Sequence, residues 1–237
     1  MNPELQRLTG IAQQHSYQQG FNGRLTKYRA WKLVECLSER RESALELGCG
    51  EGMLTAHAAR VFNRVTAVDA AADYLRAARQ TAPHNVSFVE SLIEEFDTRD
   101  TFDMVILSGV LEHVENPTLI LRRCRGWVAP EGTVFCLVPN ALALHRRIGK
   151  AMGLIADCHE LSPQDFAVGH RRYYDRQSLE STITNAGLRI IKSDGILLKP
   201  LPNQQMQDWP EALCDSLYEV GRELPDYCAE LCVLCKP

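Results

Sequence analysis

Short apolar runs alternate with amphipathic stretches along most of this chain. The runs at 43–47, 64–69, 86–90, 102–108 and 132–138 have strand length and are bounded by turn residues. Helical patterns fall between them at about 52–62, 71–81 and 116–129, and Pro130-Glu131-Gly132 marks a turn before the fifth run. That alternation predicts a doubly wound, mostly parallel α/β sheet covered by helices on both faces. Residues 1–42 read as helical, with Trp31, Val34 and Leu37 near helical spacing. From Pro139 to Asp175 the rhythm breaks into a basic helix-like piece (141–152) and a polar segment. A helix over 177–186 then stops at Gly187, and a strand spans 188–198. A long excursion, 200–226, holds a helix at 211–222, and a last strand covers 229–234.

The first strand leads into Glu46-Leu47-Gly48-Cys49-Gly50-Glu51-Gly52, and the second ends on Asp69. Glycines in such a turn let backbone approach a ligand closely, since no Cβ intervenes. An acid closing the second strand of an open α/β sheet stands where a ribose diol is gripped. A dinucleotide fingerprint needs its third glycine at position 53, but Met53 stands there. Glu46 and Glu51 also disfavour a pyrophosphate and suit a ligand carrying positive charge.

This pattern resembles motif I of the class I S-adenosylmethionine-dependent methyltransferases, and the resemblance covers roughly residues 43–237. It implies a Rossmann-like seven-stranded sheet in which the last strand runs antiparallel, inserted between strands five and six. Residues 1–42 become an N-terminal helical cap on a methyltransferase domain, 43–237, whose insertions at about 140–175 and 200–226 form the substrate pocket. S-adenosylmethionine is the implied cofactor, with S-adenosylhomocysteine as product. Gly48, Cys49, Gly50 and Gly52 then contact it, Glu46 orients its ammonium, and Asp69 accepts both ribose hydroxyls. Ala70, Ser91 and Leu92 border the adenine, and Ser108 lies near the methionine portion.

A hydroxyl or ammonium acceptor must lose a proton, so a histidine at the carboxyl edge of the sheet is a useful base. Ser108-Gly109-Val110-Leu111-Glu112-His113-Val114 resembles the segment after strand four of the ubiquinone-biosynthesis O-methyltransferases, and His170 precedes the helix leading to strand six. Either His113 or His170 is the expected base, with Glu112 beside them. Related enzymes bind a divalent metal through Glu-x-x-Glu-His. Here Gly109 replaces the first Glu, so Glu112, His113 and His170 form a partial metal site at most, and a bound metal is not favoured. His15, His57, His84, His145 and His159 carry weaker signals. Tyr17 falls where N-terminal residues fold over the cofactor and substrate. Arg171 and Arg172 adjoin His170 and suit an acceptor phosphate or carboxylate. The runs Arg122-Arg123-Arg125 and Arg146-Arg147 with Lys150 read as solvated faces.

The 237 residues allow one substantial α/β core, and the net charge of −4 argues against a large nucleic-acid footprint. No signal-peptide layout or bilayer-length apolar run appears, so a soluble, cytoplasmic monomer or homodimer is expected. Nine cysteines are scattered along the chain. In Cys232-Val-Leu-Cys235 a strand directs residues three apart to opposite faces, so reduced buried thiols are expected. The expected activity is methyl transfer to a small-molecule hydroxyl on a sugar, phenol or biosynthetic intermediate. RNA or protein methylation, a non-catalytic partner subunit and, remotely, a nicotinamide-dependent reductase are the alternatives.

Overall fold

In the computed structural model, which describes residues 2–18 and 20–237, the strands are β1 (Ser43–Leu47), β2 (Arg64–Asp69), β3 (Val86–Glu90), β4 (Phe102–Ser108), β5 (Val128–Pro139), β6 (Arg189–Leu198) and β7 (Cys228–Lys236). They form one seven-stranded sheet in the order β3-β2-β1-β4-β5-β7-β6. Pairing is parallel from β3 through β5. β7 runs antiparallel between β5 and β6, as the resemblance implied. The strand order therefore reverses between β1 and β4, where open sheets bind their ligands.

The helices are α1 (Pro3–Gln14), α2 (Phe21–Glu35), α3 (Met53–Ala58), α4 (Ala72–Thr81), α5 (Pro117–Trp127), α6 (Leu144–Ala151), α7 (Pro163–Ala167), α8 (Arg176–Asn185), α9 (Asn203–Met206) and α10 (Glu211–Gly221). Local chemistry sets several of their starts. The Asn116 side chain accepts the Leu119 amide at 3.0 Å, with Pro117 as the first helical residue of α5. Asp175 and Ser178 form a capping box at α8.

The two-residue period of the strands separates the interior into two cores. Leu45, Leu47, Val105, Leu107, Val134 and Cys235 pack on one face under α5 and α8. Ala44, Met104, Ile106, Phe135 and Cys232 pack on the other with α2, α3 and α10. Cys232 and Cys235 thus face opposite ways, and every cysteine is free and buried. α2 enters its core through Phe21, Leu25, Tyr28 and Leu33. Trp31 and Val34, the positions that marked its helical period, lie on its exposed side. α2 is also tied to β6 by the buried Lys32, whose Nζ meets Asp194 at 2.8 Å and Glu35 at 3.0 Å.

Three local expectations are corrected. β5 begins at Val128 rather than 132. Phe102 pairs with Val128 but Met104 with Thr133, so Pro130, Glu131 and Gly132 sit in a bulge inside the strand. A Cβ on Gly132 would lie 2.8 Å from the Phe102 carbonyl oxygen, which is why glycine occupies it. The helix after the glycine turn ends at Ala58, not 62. Arg123 and Arg146 do not lie on solvated faces. Arg123 donates to the carbonyls of Glu94 and Phe96, and Arg146 is 9% exposed and donates to the Cys158 carbonyl at 2.8 Å. Among the described residues no helix is long and apolar enough to cross a membrane.

Candidate active site

A cavity of about 890 Å³ opens at the carboxyl ends of β1, β2 and β4. That is near the upper end of the roughly 300–1,000 Å³ usual for ligand pockets. Its floor on one side is the glycine turn. Gly48, Gly50 and Gly52 all adopt positive φ (70°, 53° and 77°), a conformation that costs L side chains energy. Asp69 is wedged beside the turn, accepting the Gly50 amide at 2.8 Å and the Ala71 amide at 2.9 Å. Burial raises its pKa against these amide bonds, which favour the charged form.

Glu46 is 2% exposed, and its Oε2 makes no hydrogen bond. Burial pushes its pKa up to about 7, with Thr55 opposing and Asp69 adding to the rise. Glu51 also borders the cavity, but its carboxylate is engaged by the chain above it. Ser16 Oγ donates to it at 2.9 Å and the Tyr17 amide at 2.7 Å. It thereby fastens the α1–α2 connection over the turn and places Tyr17 against Gly50.

Cys49, Ala70, Ser108 and Tyr17 line the cavity as well. Gly52, Ser91 and Leu92 do not. A Cβ on Gly52 would meet the Ala78 Cβ at 2.8 Å, so this glycine brings α3 against α4. Ser91 continues the ladder, its amide donating to the Asp69 carbonyl at 3.0 Å, and Ile93 and Glu94 reach the cavity instead.

Glu112, His113 and His170 converge on the other side, with ligand atoms within 4.8 Å of one another. The two imidazoles meet edge to face, their centroids 4.7 Å apart. Glu112 is 2% exposed with an unpartnered Oε2, and burial raises its pKa to about 7, with His170 opposing. Burial and then His170 push His113 down to about 3, so its ring is neutral. His170 Nδ1 lies 2.9 Å from Asp165 Oδ1, and the Tyr173 hydroxyl donates to the same oxygen at 2.9 Å. Burial opposes charge on Asp165, but hydrogen bonds from His170, Ser162 and Tyr173 outweigh it and hold the carboxyl well below its usual range. A carboxylate there fixes the Nδ1–H tautomer of His170 and leaves Nε2 as an acceptor.

Arg171 and Arg172, expected to meet the acceptor, are not among the cavity residues. Arg171 donates to the His113 carbonyl at 2.8 Å and to Glu4 at 3.0 Å. Arg172 donates to the carbonyls of Leu111 at 3.0 Å, Val114 at 2.5 Å and Glu115 at 3.2 Å. Both guanidiniums hold the loop after β4 in place, because its carbonyls have no ladder partners. Sequence reasoning missed Asp165. The signal was present in Ser162-Pro-Gln-Asp165, but it reads as a capping box, and the structure confirms that Asp165 does that as well.

A methyltransferase-domain family profile matches residues 17–193. The chain belongs to the methyltransferase family. It is 31% identical over 185 residues to a ubiquinone biosynthesis O-methyltransferase of Xanthomonas axonopodis pv. citri, covering 72% of this chain and 74% of that one. It is 34% identical over 114 residues to the (S)-coclaurine N-methyltransferase of Thalictrum flavum subsp. glaucum, covering 44% and 32% of the two chains. Among solved structures, an S-adenosylmethionine dependent methyltransferase from Mesorhizobium loti superimposes with a TM-score of 0.65 at 18% identity, over 89% of this chain and 98% of that one. The Rossmann-like class I fold read from the glycine turn is therefore the fold of this methyltransferase.

Proposed function

We propose that this methyltransferase uses S-adenosylmethionine to methylate a hydroxyl of a small molecule such as a sugar, a phenol or a biosynthetic intermediate, with His170 as general base. The Asp165–His170 contact carries the reading, since it leaves one imidazole nitrogen ready to accept a proton. His113 is the weaker base, because a conjugate acid with a pKa near 3 holds a proton poorly. The O-methyltransferase relative supports oxygen as the acceptor atom.

The residues around the glycine turn fit the cofactor. The buried, unpartnered Oε2 of Glu46 suits an ammonium, and Asp69 retains lone pairs for ribose hydroxyls beyond the two amides it accepts. Gly48, Cys49 and Gly50 offer bare backbone, Ala70 flanks the ring, and Ser108 stands at the methionine end. Ser91 joins that wall only through its amide bond to the Asp69 carbonyl, and α1 and α2 cap it through Tyr17. The cofactor supplies a methyl group activated on a sulfonium. The chain's part is alignment and proton removal: His170 Nε2 accepts the hydroxyl proton while Asp165 steadies the resulting imidazolium.

A second reading rests on the same residues. The unpartnered oxygen of Glu112 and the nearness of His113 and His170 make the trio a candidate divalent-cation site. Labelled methyl transfer into a fractionated host extract, with and without a chelator, tests both. Label in small molecules that survives chelation supports base catalysis alone. Chelator-sensitive transfer supports the cation, and label confined to RNA or protein overturns the acceptor class.

A further inference from the structure

Beyond His170 the cavity continues under α6 to the end of β6, and its electrostatics change there. Lys199 is 8% exposed and Arg146 9% exposed, and neither forms an ion pair among the described residues. Lys199 Nζ has one hydrogen-bond partner, Asn203 Oδ1, at 2.6 Å. Arg146 gives its donors to carbonyls and stacks on the Tyr173 ring, 3.9 Å from the centroid. The nearby acid Glu230 is engaged by Arg29, whose Nε donates to it at 2.9 Å. His145 adjoins both cations, preceding Arg146 and donating its amide to the Lys199 carbonyl at 3.1 Å, with Nδ1 buried and unbonded. Burial and the charges of Lys199 and Arg146 push its pKa down to about 3, so it is a neutral ring that can donate. Burial lowers Lys199 to about 8, with Glu230 opposing and Arg146 adding to the fall, which leaves it a cation at neutral pH. The strand leading to Lys199 also bends through Leu197 at φ 60°, which L residues other than Asn and Asp seldom adopt.

Buried cations without an ion-pair partner are costly, and a ligand that brings an anion offsets that cost. This lobe is continuous with the proposed base: His170 meets Asp165, Asp165 meets Tyr173, and the Tyr173 ring carries Arg146. We propose that the acceptor carries an oxyanion, a carboxylate or a phosphoryl group, that seats against Lys199 and His145 while its reacting hydroxyl faces His170. The inference rests on the methyltransferase reading for the hydroxyl, but the oxyanion seat is testable without it.

The probes are benzoate and phenylphosphonate, with benzyl alcohol as the uncharged control. Each is titrated into protein carrying ¹³Cε-labelled lysine, with the Lys199 signal assigned by its loss in Lys199→Met. Saturable movement of that signal with benzoate assigns a carboxylate, and with phenylphosphonate a phosphoryl group. Calorimetry should show Lys199→Met weakening the preferred anion ~10-fold or more, the scale of one charge-assisted contact. No saturable binding of either anion, equal binding of benzyl alcohol, or undiminished binding by the variant overturns the proposal. S-adenosylhomocysteine titrated into the same samples reports on the glycine turn independently. Its failure with anion binding intact would count against the methyltransferase reading, not against this seat. Unchanged affinity for it in Lys199→Met also shows that the variant is folded.

Discussion

The glycine-turn half of the cavity offers backbone and the carboxylates of Glu46 and Asp69, at the ends of β1 and β2, whereas the half under α6 and α7 offers charged side chains on short helices and loops. Backbone at a strand end is placed by the sheet itself, so its geometry follows from topology. Side chains such as Asp165, His170 and Lys199 are fixed by local side-chain contacts within irregular segments, Asp165 by Ser162, His170 and Tyr173 and Lys199 by Asn203, and are brought to one cavity only by the fold. On the proposed function, the first half is a binding surface common to many reactions, and the second carries the reaction-specific chemistry. Damage to the second half should reach turnover and spare cofactor affinity, and damage to the first should do the reverse.

The sharpest test is His170→Ala. Removing a general base costs about 10²- to 10⁴-fold in turnover. S-adenosylhomocysteine affinity should stay at the wild-type value, because His170 does not adjoin the glycine turn. Asp165→Asn should follow in the same direction with a smaller loss, through the wrong imidazole tautomer, and rapid-mix kinetics would separate chemistry from binding. A parallel fall in cofactor affinity would break the comparison between the two halves.

Glu46 gives the next largest effect, on stability. Its folded pKa of about 7 lies above the carboxyl value of 4.5, so the native state holds this proton more tightly than the unfolded chain. The stabilisation is complete below about pH 4.5 and disappears as pH rises through about 7, a span worth about 3 kcal/mol. Glu112 titrates over the same range and adds to the trend. His113 and His145, whose folded pKa values of about 3 lie below the ordinary 6.5, act in the opposite sense over the same range. The Glu46 contribution is therefore read as a difference: Glu46→Gln should gain stability relative to the wild type as pH rises from about 5 to about 8. The variant should also bind S-adenosylmethionine more weakly, having lost the carboxylate proposed to face the ammonium. Calorimetric melts at both pH values check the first point, and a binding titration checks the second.

Asp69→Asn should raise the dissociation constant for S-adenosylhomocysteine by about 10- to 100-fold, since charge-assisted hydrogen bonds are each worth roughly 1.5–3 kcal/mol. Turnover at saturating cofactor should change far less. This is the mirror image of His170→Ala, and equilibrium dialysis beside steady-state rates would show both terms.

The same division explains what the sequence made legible. Strands of period two and a glycine turn are local signals, so the bounds of β1, β2, β3 and β4 and the place of Asp69 could be read directly. The bulge in β5 could not, because Pro130-Glu131-Gly132 has turn chemistry and only pairing with β4 keeps it in the strand. Arg171 and Arg172 misled for a related reason. Adjacent arginines near a histidine have the chemistry of an anion site, but unpaired carbonyls of the loop after β4 claim them first. Lys199 and His145 belong to segments separated by two helices, α7 and α8, and by β6, and no spacing along the chain announces their meeting.

The smallest predicted effect lies within the glycine turn and divides it in two. Gly50→Ala and Gly52→Ala both force alanine into positive φ, at about 1–2 kcal/mol each. At position 50 the new methyl finds room, its nearest neighbour being Tyr17 Cδ2 at 3.7 Å, but it stands over the backbone that the cofactor must approach. At position 52 the methyl meets the Ala78 Cβ at 2.8 Å, and since neither atom belongs to a flexible side chain, α3 and α4 must separate. Gly52→Ala should therefore lose more stability than Gly50→Ala, by ~2–4 °C in Tm for each further 1 kcal/mol. Gly50→Ala should lose more affinity for S-adenosylhomocysteine. If Gly52→Ala weakened binding as much as Gly50→Ala at a temperature where both are folded, the third glycine would be a ligand contact after all. The distinction between backbone that binds and backbone that packs would then fail at the point where the two are adjacent.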